Sequence, residues 1–497
     1  MSKFNKVSKQ SNVTTNHEGA KAYKNSPELE LYSLVATSLL SDKFYESADS
    51  QIQRLKGLVE KCDPIFVAKL AKYARNDLNL RSVPVMLTVE LSKLHNGDDL
   101  IRRMTNSIVK RTDEITEILS YWKTSSGKDK LSILPKQLQK GLQDSFYKFD
   151  EYQFGKYAGN RKDINMQDAI RWVHPKAKDE KQNELFNKIA KNELDTPYTW
   201  ETELTKAGKE NKSKTQVWEE LIDSGKLPYM ALIRNLRNII EAPVSRNHII
   251  KVASLIEDEK SVLKSRMFPF RFYSAYQEVP STLEGKVLKD SLEIALKHSA
   301  KNILLNENES HLIVTDVSGS MTNKVSEKSK ITYREVGYVL SSLLFSRARF
   351  VDVGIFGTEY ELINNLNKNS GVFSTIEKIH KAGTRLGWST NGHLIIKNAL
   401  ERKQSYDNIF IFTDLEIYKS GVYGGLNLEG YWKKYQSEVN PNAKLYLFNL
   451  AGYGTTPVKI QDNCFMFAGW SEKVFNLINE IKKDGREVVN YINSIEL

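Results

Sequence analysis

The chain has 497 residues, too many for one ordinary hydrophobic core, and its length points to two or more domains. Hydrophobic residues make up 40% and charged residues 27%, near globular averages, which excludes wholesale disorder and a fibrous repeat. Lys and Arg number 72 against 61 Asp and Glu, a net charge of +11, and residues 1–300 carry 49 against 40, while the remainder carries 23 against 21. The basic surplus thus lies in the first three-fifths, where nucleic acid is the leading polyanionic partner and a plain solvated basic surface the bland alternative.

No apolar run approaches the roughly 18 to 20 residues that a bilayer-spanning helix needs, and MSKFNKVSKQSNVTTNHEG is polar throughout. A cytoplasmic protein without a membrane role is expected. Cys62 and Cys464 give no disulfide framework.

Residues 1–20 are expected to be a flexible N-terminus. From about Ser26 to Ser299 the apolar residues recur at helical spacing: PELELYSLVATSLL, with Pro27 at a first helical position, then ADSQIQRLKGLVEKC, PIFVAKLAKYARN, SVPVMLTVELSKL, LIRRMTNSIVKR, DEITEILSYWK, LPYMALIRNLRNII and KVLKDSLEIALKHSA. Short polar links between amphipathic helices predict antiparallel helix pairs stacked as a solenoid over residues 21–303. After about Leu304 strands alternate with helices. HLIVTDV, RFVDVGIFG, NIFIFTD and KLYLFNL are strand-like, and TYREVGYVLSSLLFSRA, NGHLIIKNALERK and SEKVFNLINEIKK are helical. That order predicts a doubly wound parallel α/β domain over residues 304–497, with ligands at the carboxyl ends of its strands.

Asp316, Ser318 and Ser320 follow the first strand of this domain as D-x-S-x-S. AGTRLGWSTNGHLIIKNAL places Gly387 and Thr390 at the start of a helix, and NIFIFTDLE ends a strand on Asp414. Hydroxyls and carboxylates from three separate loops form a hard, lightly charged oxygen set that suits Mg²⁺, or Mn²⁺ in its place. The bland alternative has Ser318 and Ser320 capping the next helix and Asp414 capping a loop. Glu416 reads as a surface acid rather than an outer-sphere neighbour.

The set resembles the metal-ion-dependent adhesion site of von Willebrand factor A domains. The resemblance implies that Ser318 and Ser320 bind the cation directly, Thr390 directly or through water, and Asp316 and Asp414 mainly through waters. An open position would then accept a carboxylate from a protein partner. The usual Gly-Gly-Thr-like run is replaced here by Gly387, Trp388, Ser389 and Thr390, and Thr384 in KAGTR is a rival ligand.

The helical region is similar to the TROVE domain of the Ro autoantigen family. The resemblance is carried by AKYARNDLNLRSVPVMLTVELSK, RKDINMQDAIRWVHPK, LPYMALIRNLRNI and RMFPFRFYSAYQEV, and by TDVSGSM and FTDLE in the family order. It covers the chain from about residue 20 to the end. It implies a ring of HEAT-like helical repeats joined by the A domain, small structured Y-like noncoding RNA on a basic outer face, and 3′ ends of misfolded or precursor RNA in a central hole. In FGKYAGNRKDINMQDAIRWVHPKAK the implied RNA contacts are Lys156, Arg161, Arg171, His174 and Lys176. Lys and Arg offer phosphate donors, and His stacks on or bonds to a base. Arg234 and Arg237, three apart on one expected helix, either line the hole or pair with local acids. Arg75 and Arg81 bracket an interhelical turn, where salt-bridge roles compete with RNA contact.

The leading expectation is a monomeric, non-enzymatic RNA-binding protein of RNA quality control or processing, with a metal site for a protein partner. In bacterial relatives such partners include a 3′-to-5′ exoribonuclease. The alternative is a metal-dependent adhesion or scaffold module without an RNA role. A metal nuclease is disfavoured because two-metal phosphodiester chemistry wants clustered carboxylates.

Overall fold

The computed structural model describes all residues except 1–11, 39–42, 44, 128–132, 158–162, 302, 328, 419–424, 462, 472 and 476–486. The chain divides into two compact units. One is an α/β unit, Met1–Gln51 with Leu304–Trp470 and Val474–Val489. The other is helical, Ile52–Ile303 with Ser471–Lys473 and Asn490–Leu497.

The α/β unit is built on a sheet of six strands: β3 (Ser310–Asp316), β4 (Phe350–Phe356), β5 (Tyr360–Leu362), β6 (Asn408–Thr413), β7 (Lys444–Asn449) and β9 (Cys464–Ala468). Their spatial order is β5-β4-β3-β6-β7-β9. Pairings are parallel except for the antiparallel edge strand β5. Strand β6 is buried at every position, as its uninterrupted apolar run requires of a central parallel strand. From β3 the chain winds outward through β4 and β5, then returns to the other side for β6, β7 and β9. The switch point therefore falls between β3 and β6, the strands that lead to Asp316 and Asp414. The expected strands and two of the expected helices are present, the latter as Tyr333–Arg347 and His393–Glu401. SEKVFNLINEIKK lies largely outside the described residues.

Two boundaries depart from expectation. Described residues before Gln51 are neither a loose terminus nor part of the solenoid. Strands β1 (Val13–Thr15) and β2 (Lys21–Lys24) pair with each other and with β8 (Thr455–Thr456). Helix Pro27–Ala36 packs against β9, with the Tyr32 hydroxyl donating to the carbonyl of Ala468 at 3.1 Å. Apolar residues run almost all round this helix, so its pattern announces burial but not the partner. At the other end, Asn490–Leu497 belongs to the helical unit, where Tyr491 meets the Tyr73 ring edge-on at 6.0 Å.

In the helical unit, Pro64–Asn76 and Ser82–Leu94 begin and end where their apolar periods do. Pro64 stands at N1 behind Asp63, whose carboxylate accepts from Phe66 N. Consecutive helices pack on each other, and Arg266 Nη1 donates to the carbonyl of Asn76 at 2.7 Å across 190 positions.

Candidate metal centre and nucleic-acid interface

At the switch point, Asp316 ends β3 with no exposed surface. Its Oδ1 accepts from Ser318 N at 2.9 Å and its Oδ2 from the Thr413 hydroxyl at 2.6 Å. Ser318 and Ser320 are buried with their hydroxyls 3.4 Å apart. Neither caps the following helix. Thr332 caps Tyr333–Arg347, and the short 3₁₀ turn Ser320–Thr322 has no side-chain cap. Thr390 is buried, and its carbonyl accepts from Tyr418 N at 2.9 Å. Asp414 is 1% exposed; its Oδ1 accepts from Glu416 N at 3.1 Å, and its Oδ2 has no hydrogen-bond partner.

Burial, followed by the Asp414 charge, pushes the Asp316 carboxyl above the usual range. Burial likewise raises Asp414. Two buried like-charged carboxylates, an orphan oxygen and two close hydroxyls form a set whose chemistry would suit a hard divalent cation. Among the described residues no group of three or more His, Cys, Asp or Glu side chains could hold a metal by itself, so any cation here depends on the hydroxyls.

Thr384 is exposed, and its hydroxyl donates to the Lys381 carbonyl at 2.9 Å. Gly387 turns the Thr390 loop at φ +75°, where a Cβ would meet Thr358 Oγ1 at 2.3 Å. Trp388, 73% exposed, lies over Gly319 and accepts from its amide at 2.9 Å. Glu416 corrects the reading of a surface acid. It has no exposed surface, and burial with the neighbouring Asp414 charge pushes it up to about 8. The apolar residues Leu415 and Ile417 on either side of it were the available signal.

On the helical unit, Lys156 ends helix Glu151–Lys156, its Nζ 5.7 Å from the Tyr157 ring centroid. Arg161 lies outside the described residues. Helix Met166–Val173 starts in a reciprocal cap between Asn165 and Asp168 and ends on His174 in the left-handed region, φ 51°. Both helices pack against Thr112–Ser125. Arg171, His174 and Lys176 are exposed. Trp172, Tyr147 and Lys178 join them. Trp172 is 39% exposed, and Lys178 Nζ stands 3.8 Å from the Tyr147 ring centroid. The Tyr147 hydroxyl donates to the Lys176 carbonyl at 2.8 Å. Among the described residues no carboxylate forms an ion pair with Arg171, His174, Lys176 or Lys178. Cations interleaved with aromatic faces can hold phosphates and stack bases.

Arg234 and Arg237 sit on a different set of helices, Tyr229–Arg234 and Leu236–Glu241, which Asn235 separates. They are therefore not on one continuous helix. Arg237 pairs with Glu241 at 2.7 Å and Glu278 at 3.7 Å, whereas Arg234 faces the like charge of Arg271. Arg75 pairs with Glu114 at 2.7 Å, and Arg81 with Asp113 at 2.8 Å and Glu117 at 3.1 Å. These two arginines serve an internal network. Lys110 is held below its usual range by burial and then by Arg75 and Lys72.

The TROVE domain model matches residues 32–193 and 190–335, and the Ro60 vWA domain model matches 310–481. Telomerase protein component 1 of Rattus norvegicus is 25% identical over half of this chain and 12% of its own length. The Mus musculus protein of that name is 26% identical over 55% of this chain and 13% of its own. The chain thus spans about an eighth of these relatives. The crystal structure of the Deinococcus radiodurans Ro (RSR) protein shares the fold, with a TM-score of 0.59 and 16% identity over 90% of this chain and 97% of that one.

Proposed function

The chain belongs to the TROVE-domain family, and on that premise we propose that it is a non-enzymatic RNA-binding protein of RNA quality control or processing. The observation that carries this reading is the exposed run Arg171, Trp172, His174, Lys176 and Lys178, of which Lys178 stands against the Tyr147 ring. Ammonium and guanidinium groups there neutralise phosphates, while the indole and imidazole offer faces for unpaired bases. The preferred ligand is a small Y-like RNA with folded stems. Single-stranded 3′ ends of defective or precursor RNA, carried to an exoribonuclease, are a second ligand, which the resemblance supports. The setting proposed is cytoplasmic and the protein monomeric; among the described residues no helix is long and apolar enough to cross a membrane.

Salt-titrated binding of a stem-loop RNA tests the reading. A steep loss of affinity with salt is expected, and a salt-independent affinity would refute it.

A second reading of the α/β unit, compatible with the first, rests on the orphan Asp414 Oδ2. Asp316, Ser318, Ser320, Thr390 and Asp414 would hold Mg²⁺ or Mn²⁺. When bound, such an ion supplies an open position for a carboxylate from a protein partner. The protein's own contribution is to fix the hydroxyls by burial and to keep Asp316 immobile between Ser318 N and the Thr413 hydroxyl. Trp388 adds an exposed aromatic rim beside Gly319. Calorimetric titration with Mn²⁺ tests it, and a heat signal that survives Ser318→Ala with Asp414→Asn would exclude this site.

A further inference from the structure

Strands β1 and β2 form a hairpin whose tip, Asn16–Gly19, is anchored beside the candidate cation site. Asn16 Nδ2 donates to the Ile417 carbonyl at 2.8 Å, and Asn16 Oδ1 accepts from Ala20 N at 2.8 Å. His17 N donates to Glu416 Oε2 at 2.7 Å. The His17 ring stacks on Tyr45 at 5.0 Å and meets the edge of Tyr453 at 5.4 Å. The Tyr45 hydroxyl donates to the Glu18 carboxylate.

These anchors converge on residues 414–418. Asp414 Oδ1 holds the Glu416 amide, Glu416 and Ile417 hold the hairpin tip, and Tyr418 N holds the Thr390 carbonyl. One pentapeptide therefore links two of the expected cation ligands to residues nearly 400 positions earlier in the chain.

Glu416 is the unexplained member. It is wholly buried, one oxygen grips His17 N–H, and the other, Oε1, has no hydrogen-bond partner. Asp414, two residues away and also buried, has its own orphan oxygen, Oδ2. Two buried carboxylates with spare lone pairs repel each other and lack compensation. A positive charge at the site supplies that compensation and holds the Glu416 carboxylate, and with it the His17 amide, in place.

We propose that Glu416 is a positioning residue of the cation site, and that a divalent ion held by Asp316, Ser318, Ser320, Thr390 and Asp414 fastens the N-terminal hairpin through it. This rests on the metal reading of the same site. Cation occupancy and hairpin docking are then one linked equilibrium: each strengthens the other by the same factor.

The test uses the full chain with Mn²⁺ as probe. Calorimetry reads binding, and hydrogen exchange of peptides covering residues 12–24 reads docking. Mn²⁺ is expected to slow hairpin exchange by about tenfold or more, the scale of one charge-assisted hydrogen bond. Glu416→Gln should still bind Mn²⁺ but lose that response. Asn16→Ala, which leaves the parallel sheet untouched, should speed hairpin exchange and weaken Mn²⁺ by a matching factor, and it carries the test alone should Glu416→Gln fold poorly. Mn²⁺ binding with unchanged hairpin exchange overturns the coupling and leaves the metal reading standing. Absence of Mn²⁺ binding to the wild type removes both.

Discussion

Removing the exposed cations between Arg171 and Lys178 should weaken RNA binding in a way that separates phosphate contact from stacking. In Arg171→Ala/Lys176→Ala/Lys178→Ala three side chains that form no ion pair among the described residues lose their charge. Each phosphate contact contributes about 0.7 to 0.9 to the slope of log affinity against log salt, so the triple variant should flatten that slope by about 2 to 3. Trp172→Ala should leave the slope alone and lower affinity by about tenfold to a hundredfold, the worth of one base–aromatic stack of about 1–3 kcal/mol. Both variants should fold. The Asn165–Asp168 cap and the buried Met166, Ala169, Ile170 and Val173 are untouched, and the Lys178–Tyr147 contact is worth only about 0.5–1 kcal/mol at the surface. The assay is filter binding of a stem-loop with a single-stranded flank, across a salt series. A triple variant with the wild-type slope, or a Trp172 variant with wild-type affinity, would refute placing RNA on this face.

Three further outcomes are expected. Glu114→Ala should cost about 3–5 kcal/mol in urea denaturation. Its carboxylate, 1% exposed, pairs with Arg75 and accepts from Lys110 N at 2.7 Å and Arg111 N at 3.0 Å, so its loss strands a buried guanidinium and two amides. Mn²⁺ at a hundred times its dissociation constant should stabilise the wild type by about 2.7 kcal/mol, and Asp414→Asn should abolish that gain in thermal melts. His311, 1% exposed, is held below the usual histidine range by burial. The folded state therefore stays neutral where the unfolded chain takes up a proton, and stability falls on acidification below about pH 6.5. Melting curves of the wild type and His311→Leu should diverge between pH 7 and 5, the wild type losing more. A constant difference across that range would show that His311 does not titrate on unfolding.

Periodicity located the long elements because burial on one or both faces is written directly into residue type. Pro64–Asn76 and NIFIFT could hardly be anything else. The placement of Asp316 and Asp414 was legible for a related reason: they stand where apolar strands stop, and a doubly wound sheet must bring those ends together. What pattern could not supply is the identity of a partner distant in sequence. KAYK is too short and too polar to announce a strand, yet Tyr23 finds Thr456 and the Tyr23 hydroxyl finds Glu429 at 2.6 Å. Trp172 was passed over because a Trp in an amphipathic helix is normally core. Its exposure follows from its place beside Val173, which takes the buried position at the end of that helix.

The same distinction bears on how the two basic sets should be weighed. Cationic side chains are informative only after their carboxylates are known, since a paired guanidinium contributes little to counterion release. Arg75, Arg81 and Arg237 are spent on Glu114, Asp113, Glu117, Glu241 and Glu278. Reversing Glu241 and Glu278 to Lys would therefore unmask Arg237 and add charge, so that stem-loop affinity should rise at low salt if helix Leu236–Glu241 faces RNA. An affinity unchanged by that reversal assigns RNA contact away from this helix, leaving the His174–Lys178 face as the place where phosphate is met.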